Sequence, residues 1–203
     1  MKIACISDTH GYHERIKFYP KADVFIFAGD STQTGKLTDL FKFSSWINFL
    51  PYKHKIVIAG NHDWGLYRDL SLGHRLFEKG VFYLLDQDVI IDNVKFYGSP
   101  WTPEFCGWAF MKEEYELKEK WSHIPNDTDV LITHGPPLGI LDSTEHGLAG
   151  SISLLDKINM INIKVHIFGH IHEENGQCVS PSKTRCYNVS YDPLCPEFTI
   201  IEV

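Results

Sequence analysis

Residues 165–176 read VHIFGHIHEENG. An apolar run, Val165 to Phe168, closes on Gly169 and then presents His170 and His172 at positions i and i+2. A solvated loop has no need of that spacing, and a core strand disfavours imidazoles. The chain opens the same way: in KIACISDTHG, residues 2–11, a short apolar run ends in Asp8 and His10, again i and i+2. Three further runs share this kind of ending. VFIFA (24–28) is followed by Gly29-Asp30, KIVIA (55–59) by Gly60-Asn61-His62-Asp63, and VLIT (130–133) by His134-Gly135.

These β-branched and aromatic runs read as strands. With KIACIS (2–7), VHIF (165–168), 94–98, Thr184–Val189 and Phe198–Glu202, they alternate with stretches of helical spacing. Residues 36–49 and 151–161 carry that spacing, with Ser151 placed to cap the second. Residues 69–79 and 112–121 carry a fainter version. Alternating strands and helices imply an α/β fold. Extra strands at 81–97 and 184–202 point to a mixed sheet, or two sheets. At 203 residues, one domain over 1–203 is the expectation.

In α/β sheets, ligands bind beyond the carboxyl ends of strands. Five such endings can converge on one crevice. The donors are Asp8, His10, Asp30, Asn61, His134, His170 and His172, a set of oxygen and imidazole groups suited to a divalent metal. Seven donors exceed the three or four that one zinc-like ion takes from protein. With one carboxylate shared they make two sites, the arrangement that clamps an in-line displacement at phosphorus. His62, beside Asn61, is then expected at the rim, protonating the leaving oxygen or stabilising charge on the phosphoryl group, with Asp63 orienting its imidazole. His166 reads as a hydrogen-bonded core histidine. His13, His54, His74, His123 and His146 have no partner spacing.

The ordered blocks D8-T9-H10, G29-D30, G60-N61-H62-D63, H134 and G169-H170-I171-H172 resemble the calcineurin-like metallophosphoesterase superfamily. GSPWTPEFCGWAF, THGPPLGILD and VHIFGHIHEENG are similar to its metallophosphoesterase-domain-containing subgroup. The resemblance implies a four-layer α/β/β/α sandwich of two mixed sheets, with the site at one edge. It implies that Asp8, His10, Asp30 and His172 hold one metal. Asp30, Asn61, His134 and His170 hold the other, Asp30 bridges, and His62 is catalytic. It also implies phosphodiester substrates, cyclic nucleotides among them, and manganese, with iron, zinc or magnesium as alternatives. Ser31-Thr32-Gln33 departs from the G-D-x-x-D-R-G block of the protein phosphatases, and Asp63 stands where those enzymes carry Glu. Retromer-subunit relatives lose catalytic groups, and here none is missing.

The expected chemistry is phosphoester hydrolysis, with two cations lowering the pKa of a bridging water. Trp101, Phe105 and Trp108 are candidates for a stacking wall against a nucleobase, or equally for a small satellite core. A phosphomonoesterase or nuclease, and a metal-bound scaffold with little turnover, are the other readings. The net charge of -7 gives no general basic face for gripping duplex nucleic acid. No apolar stretch reaches the roughly 20 residues of a membrane span, and no secretory signal or lipidation motif is evident. Cys5, Cys106, Cys178, Cys186 and Cys195 are an odd number without a C-x-x-C pair, read as thiols of a cytoplasmic protein. Whether Cys178 and Cys186 face each other across a hairpin is open at this level.

Overall fold

The computed structural model describes residues 1–194 and 197–203. Cys195 lies outside the described residues. In chain order the strands are β1 (Lys2–Ile6), β2 (Val24–Ala28), β3 (His54–Ile58), β4 (Val81–Tyr83), β5 (Gln87–Ile91), β6 (Val94–Ser99), β7 (Thr102–Pro103) and β8 (Met111–Lys112). They continue with β9 (Val130–Thr133), β10 (Ser143–Thr144), β11 (Gly147–Leu148), β12 (Val165–Phe168), β13 (Gly176–Val179), β14 (Arg185–Asn188) and β15 (Thr199–Glu202). The helices are α1 (Leu37–Phe49), α2 (Trp64–Arg68), α3 (Leu72–Leu76), α4 (Glu114–Ser122) and α5 (Ile152–Met160).

Two mixed sheets result. The first has the order β15-β1-β2-β3-β4, parallel except for β15 against β1. The second has the order β13-β14-β12-β9-β6-β5, parallel at its centre and antiparallel at both edges. Side chains alternate across each strand. Ile3, Cys5, Val24, Ile26, Ile56 and Ile58 meet Phe96, Val130, Ile132, Val165 and Ile167 between the sheets. The intervening residues face outward onto helices: Phe25 and Phe27 cluster with Leu40, Phe43 and Ile47 of α1, and Leu131 and Phe168 with α4 and α5. The layers are therefore α/β/β/α. Because both faces are covered, the strands read as unbroken apolar runs.

Ser151 accepts a hydrogen bond from the Leu154 amide at 3.1 Å and caps α5 as its position implies. Glu113 and Glu116 form a capping box that starts α4. The expected helix over 69–79 forms only as the short α3, separated from α2 by a turn at Asp69, whose carboxylate accepts from the amide and hydroxyl of Ser71. No helix among the described residues is long and apolar enough to cross a membrane.

Candidate metal centre

β1, β2, β3, β9 and β12 all point their carboxyl ends at one crevice. The turns that follow are tight. Asp8, His10, Asp30 and His170 all take left-handed backbone, with φ of 56°, 45°, 58° and 71°. Such φ values are costly for non-glycine residues and tend to persist where surrounding structure enforces them. Here backbone bonds do so: the Asp8 amide donates to Gly29 O at 2.9 Å and the His10 amide to Asp30 O at 3.1 Å. Gly169 is required by close approach, because a Cβ there would collide with Ser7 Oγ and Asp8 Oδ2.

Asp30 is the hub. Its Oδ1 lies 3.4 Å from His134 Nε2, and its Oδ2 lies 3.9 Å from both His10 Nε2 and His62 Nε2. Burial opposes its charge, yet the neighbouring histidines, His134 first, hold its carboxyl well below the usual range. Burial likewise opposes a charge on His134, but Asp30 outweighs it and pushes that imidazole up to about 9. His134 Nδ1 is held by the Ala28 carbonyl at 2.9 Å, which aims Nε2 at Asn61 Oδ1, 2.8 Å away. The Thr32 carbonyl, 3.3 Å from His10 Nδ1, aims His10 Nε2 in the same way.

A second focus lies beside the first. His10 Nε2 and His172 Nε2 are 3.3 Å apart, and His172 Nε2 is 3.9 Å from Asp8 Oδ1. Two imidazole nitrogens at that distance have the spacing of ligands sharing one cation at about 2.1 Å. Asp8 Oδ2 is occupied by Ser7 Oγ and the His170 amide, while Oδ1 is buried without a partner. An orphaned buried carboxylate oxygen facing two imidazoles fits a bound cation, since burial without a partner is otherwise costly. The donor atoms of Asp8, His10 and His172 lie within 4.8 Å of one another, as do those of Asp8, Asp30 and His134 and those of His10, Asp30 and His62. His170 packs its ring against His134, with centroids 5.1 Å apart.

The cavity above these groups holds about 190 Å³. His10, Asp30, Asn61, His62, His170 and His172 line it, with Phe105, Trp108 and Met111 as an apolar wall. Trp108 meets the His62 ring, with centroids 4.1 Å apart. Met111 and the carbonyls of Thr32 and Gln33 escape sequence reading: an apolar residue on a short strand and two backbone atoms carry no motif.

Two sequence expectations are corrected. Trp101 is not part of the wall. It is buried, packs on Tyr67 and Phe110, and donates Nε1 to Asp86 at 2.9 Å. Asp63 does not orient the His62 imidazole. His62 Nδ1 meets the Gln33 carbonyl at 2.8 Å. The Asp63 carboxylate instead accepts from the amides and hydroxyls of Ser31 and Thr32 and from the Gly60 amide. It thereby ties the loop after β2 to the loop after β3. Burial and the charge of Asp30 push its carboxyl up, and its hydrogen bonds oppose them. His166 is the core histidine expected, with Nε2 on Thr133 Oγ1 at 2.7 Å and burial pushing it down to about 3.

Comparison with known proteins assigns the chain to a family. The chain is 36% identical to human metallophosphoesterase domain-containing protein 1, over 98% of its own length and 70% of the relative's. It is 42% identical to a UPF0046 protein of Caenorhabditis elegans, covering 65% of that protein. Among solved structures, TT1561 of Thermus thermophilus superposes with a TM-score of 0.62 at 12% identity, covering 99% of this chain and 98% of that one. A dimetal phosphatase from Danio rerio superposes with a TM-score of 0.60 at 11% identity, covering 98% and 91%. At such identities the structural likeness bears on fold alone. Residues 1–174 match the family described as calcineurin-like phosphoesterase, and the chain belongs to that family.

Proposed function

We propose that residues 1–203 act as one domain, a binuclear metal-dependent phosphoesterase that hydrolyses small or cyclic-nucleotide-like phosphodiesters. The observation that carries this reading is the carboxylate of Asp30, whose two oxygens face different imidazole groups. Asp8, His10, Asp30 and His172 would hold one cation, and Asp30, Asn61, His134 and His170 the other. Two such cations supply charge neutralisation at phosphorus and a nucleophilic water at neutral pH. Oxygen and imidazole donors suit manganese, the first ion to test, ahead of iron, zinc and magnesium.

The residues of the chain account for the remainder. Gln33 O fixes Nδ1 of His62, so Nε2 faces the cavity and can give a proton to the leaving oxygen. Phe105 and Trp108 offer apolar faces to a planar leaving group. Among the described residues no lysine or arginine lines the cavity. A diester carries one negative charge and needs less cationic support than a monoester dianion, which favours the diester.

The test compares bis-p-nitrophenyl phosphate with p-nitrophenyl phosphate, in chelator and then with added manganese. Manganese-dependent turnover that favours the diester is expected. His62→Asn should keep its bound metal and lose on the order of 10²–10⁴-fold in turnover. A monoester preference would replace the diester reading, and metal binding without turnover on either substrate would favour a scaffold.

A further inference from the structure

At the far edge of the second sheet, Cys178 of β13 and Cys186 of β14 are direct cross-strand partners. Both side chains pack against the same outer core cluster, so they share a face of the sheet. Directly opposed residues of an antiparallel pair have Cα atoms about 4.5 or 5.5 Å apart, and both values fall inside the roughly 4.4–6.8 Å window of a disulfide. The turn beyond them is held by its own bonds. The Ser180 amide donates to Thr184 O at 2.9 Å, and the Thr184 amide to Ser180 Oγ at 3.1 Å. The register that opposes the two thiols is therefore fixed. Both cysteines are thiols in this structure; Cys178 is half-buried on the edge strand and Cys186 is buried.

We propose that Cys178 and Cys186 are a reversible dithiol–disulfide site, closed by low-molecular-weight disulfides such as glutathione disulfide. The Cys178 thiolate attacks one sulfur of the small disulfide and expels a thiolate. The Cys186 thiolate then attacks the mixed disulfide at the Cys178 sulfur. The intrachain S–S bond forms and a second small thiol leaves, so two electrons and two protons pass from the cysteines to the small disulfide. The order of attack follows from access: Cys178 is half-buried on the edge strand, with burial raising its thiol above the ordinary value, whereas Cys186 is buried and its thiol donates to Thr184 O at 3.7 Å. Burial pushes the Cys186 thiol up to about 12, which makes the second step slow.

The bond would staple a strand that follows closely on His172. Asn188, at the end of β14, donates to Ile171 O at 2.8 Å, and Asn175 donates to Ser190 O at 2.6 Å. The hairpin and the loop carrying His170 and His172 are thus joined on both sides.

The experiment equilibrates the full chain in glutathione buffers from reducing to oxidising, quenches it in acid, alkylates it under denaturing conditions and maps the peptides. Cys178 and Cys186 should lose alkylation together and appear in one cross-linked peptide, reversed by dithiothreitol. Cys178→Ser should leave Cys186 fully alkylated in the same oxidising buffer, because burial keeps glutathione from it. Stable glutathione on Cys178 alone, pairing of either residue with Cys195, or both thiols still free after long equilibration would each overturn the proposal. None of these readouts depends on hydrolysis, so the result stands apart from the proposed activity.

Discussion

On the cavity floor, Asp8, Asp30, Asn61 and His134 are 4% exposed or less, and their backbone or side-chain atoms are tied to neighbouring strands. At the rim, Phe105 is 63% exposed and Trp108 is 37% exposed. The rim segment meets the floor through the Ala109 amide on Asn61 O at 3.2 Å and the ring contact of Trp108 with His62. The contrast separates two tasks. Donor geometry is set by buried bonds that no substrate need supply. In the proposed reaction, selection would fall to rim side chains that can be exchanged without disturbing those bonds.

The hardest blow to the floor should come from a residue that faces no substrate. Asp63→Ala leaves five buried donors without their acceptor and unties the loops bearing Asp30 and Asn61. A loss of about 3–5 kcal/mol in denaturant unfolding is expected, with loss of bound metal. An unchanged unfolding midpoint would show that the floor does not depend on this carboxylate.

A smaller effect should appear with pH when metal is chelated. His134 is raised from its ordinary 6.5 to about 9 in the folded chain. The folded state then holds this proton more tightly than the unfolded state. Its stabilisation is complete below 6.5 and disappears as pH rises through about 9. Melting temperature in chelator should therefore fall across that window, and fall less in Asp30→Asn, which lacks the partner charge. Equal slopes in the two proteins would dissociate the pair from stability.

The mildest effect belongs to the rim. Trp108→Ala should raise KM for an aryl diester on the order of tenfold, the value of one lost stacking contact. Metal content and unfolding midpoint should stay unchanged, and Trp108→Phe should recover most of the loss. A fall in metal content would erase the distinction between floor and rim.

The sequence made the floor legible because each donor follows an apolar run, and a strand's end is a fixed place in an α/β sheet. Ser151 was legible because a cap is a local bond. Asp63 and Trp101 misled for the same reason: neighbours in sequence need not be neighbours in space. Past His62 the chain turns so that Asp63 reaches back to Ser31 and Thr32. Trp101, at the start of an exposed aromatic segment, is drawn inward by Asp86, with Lys120 over its ring at 4.6 Å. The pairs β7–β8 and β10–β11 are only two residues per strand, too short to show a period. The Gln33 carbonyl on His62 has no side-chain signature at all.

β15 closes the first sheet by pairing Glu202 with Lys2, Ile201 with Ile3 and Ile200 with Ala4. Those partners are separated by almost the whole chain, the kind of contact that forms late because its loop-closure entropy must be met first. On a ribosome β15 emerges after every other described element, so β1 waits with one bare edge while β2 and β3 assemble beside it. An unpaired apolar edge is a template for pairing with other chains. For this protein, β1 is open to pairing with other chains for as long as β15 has yet to be made.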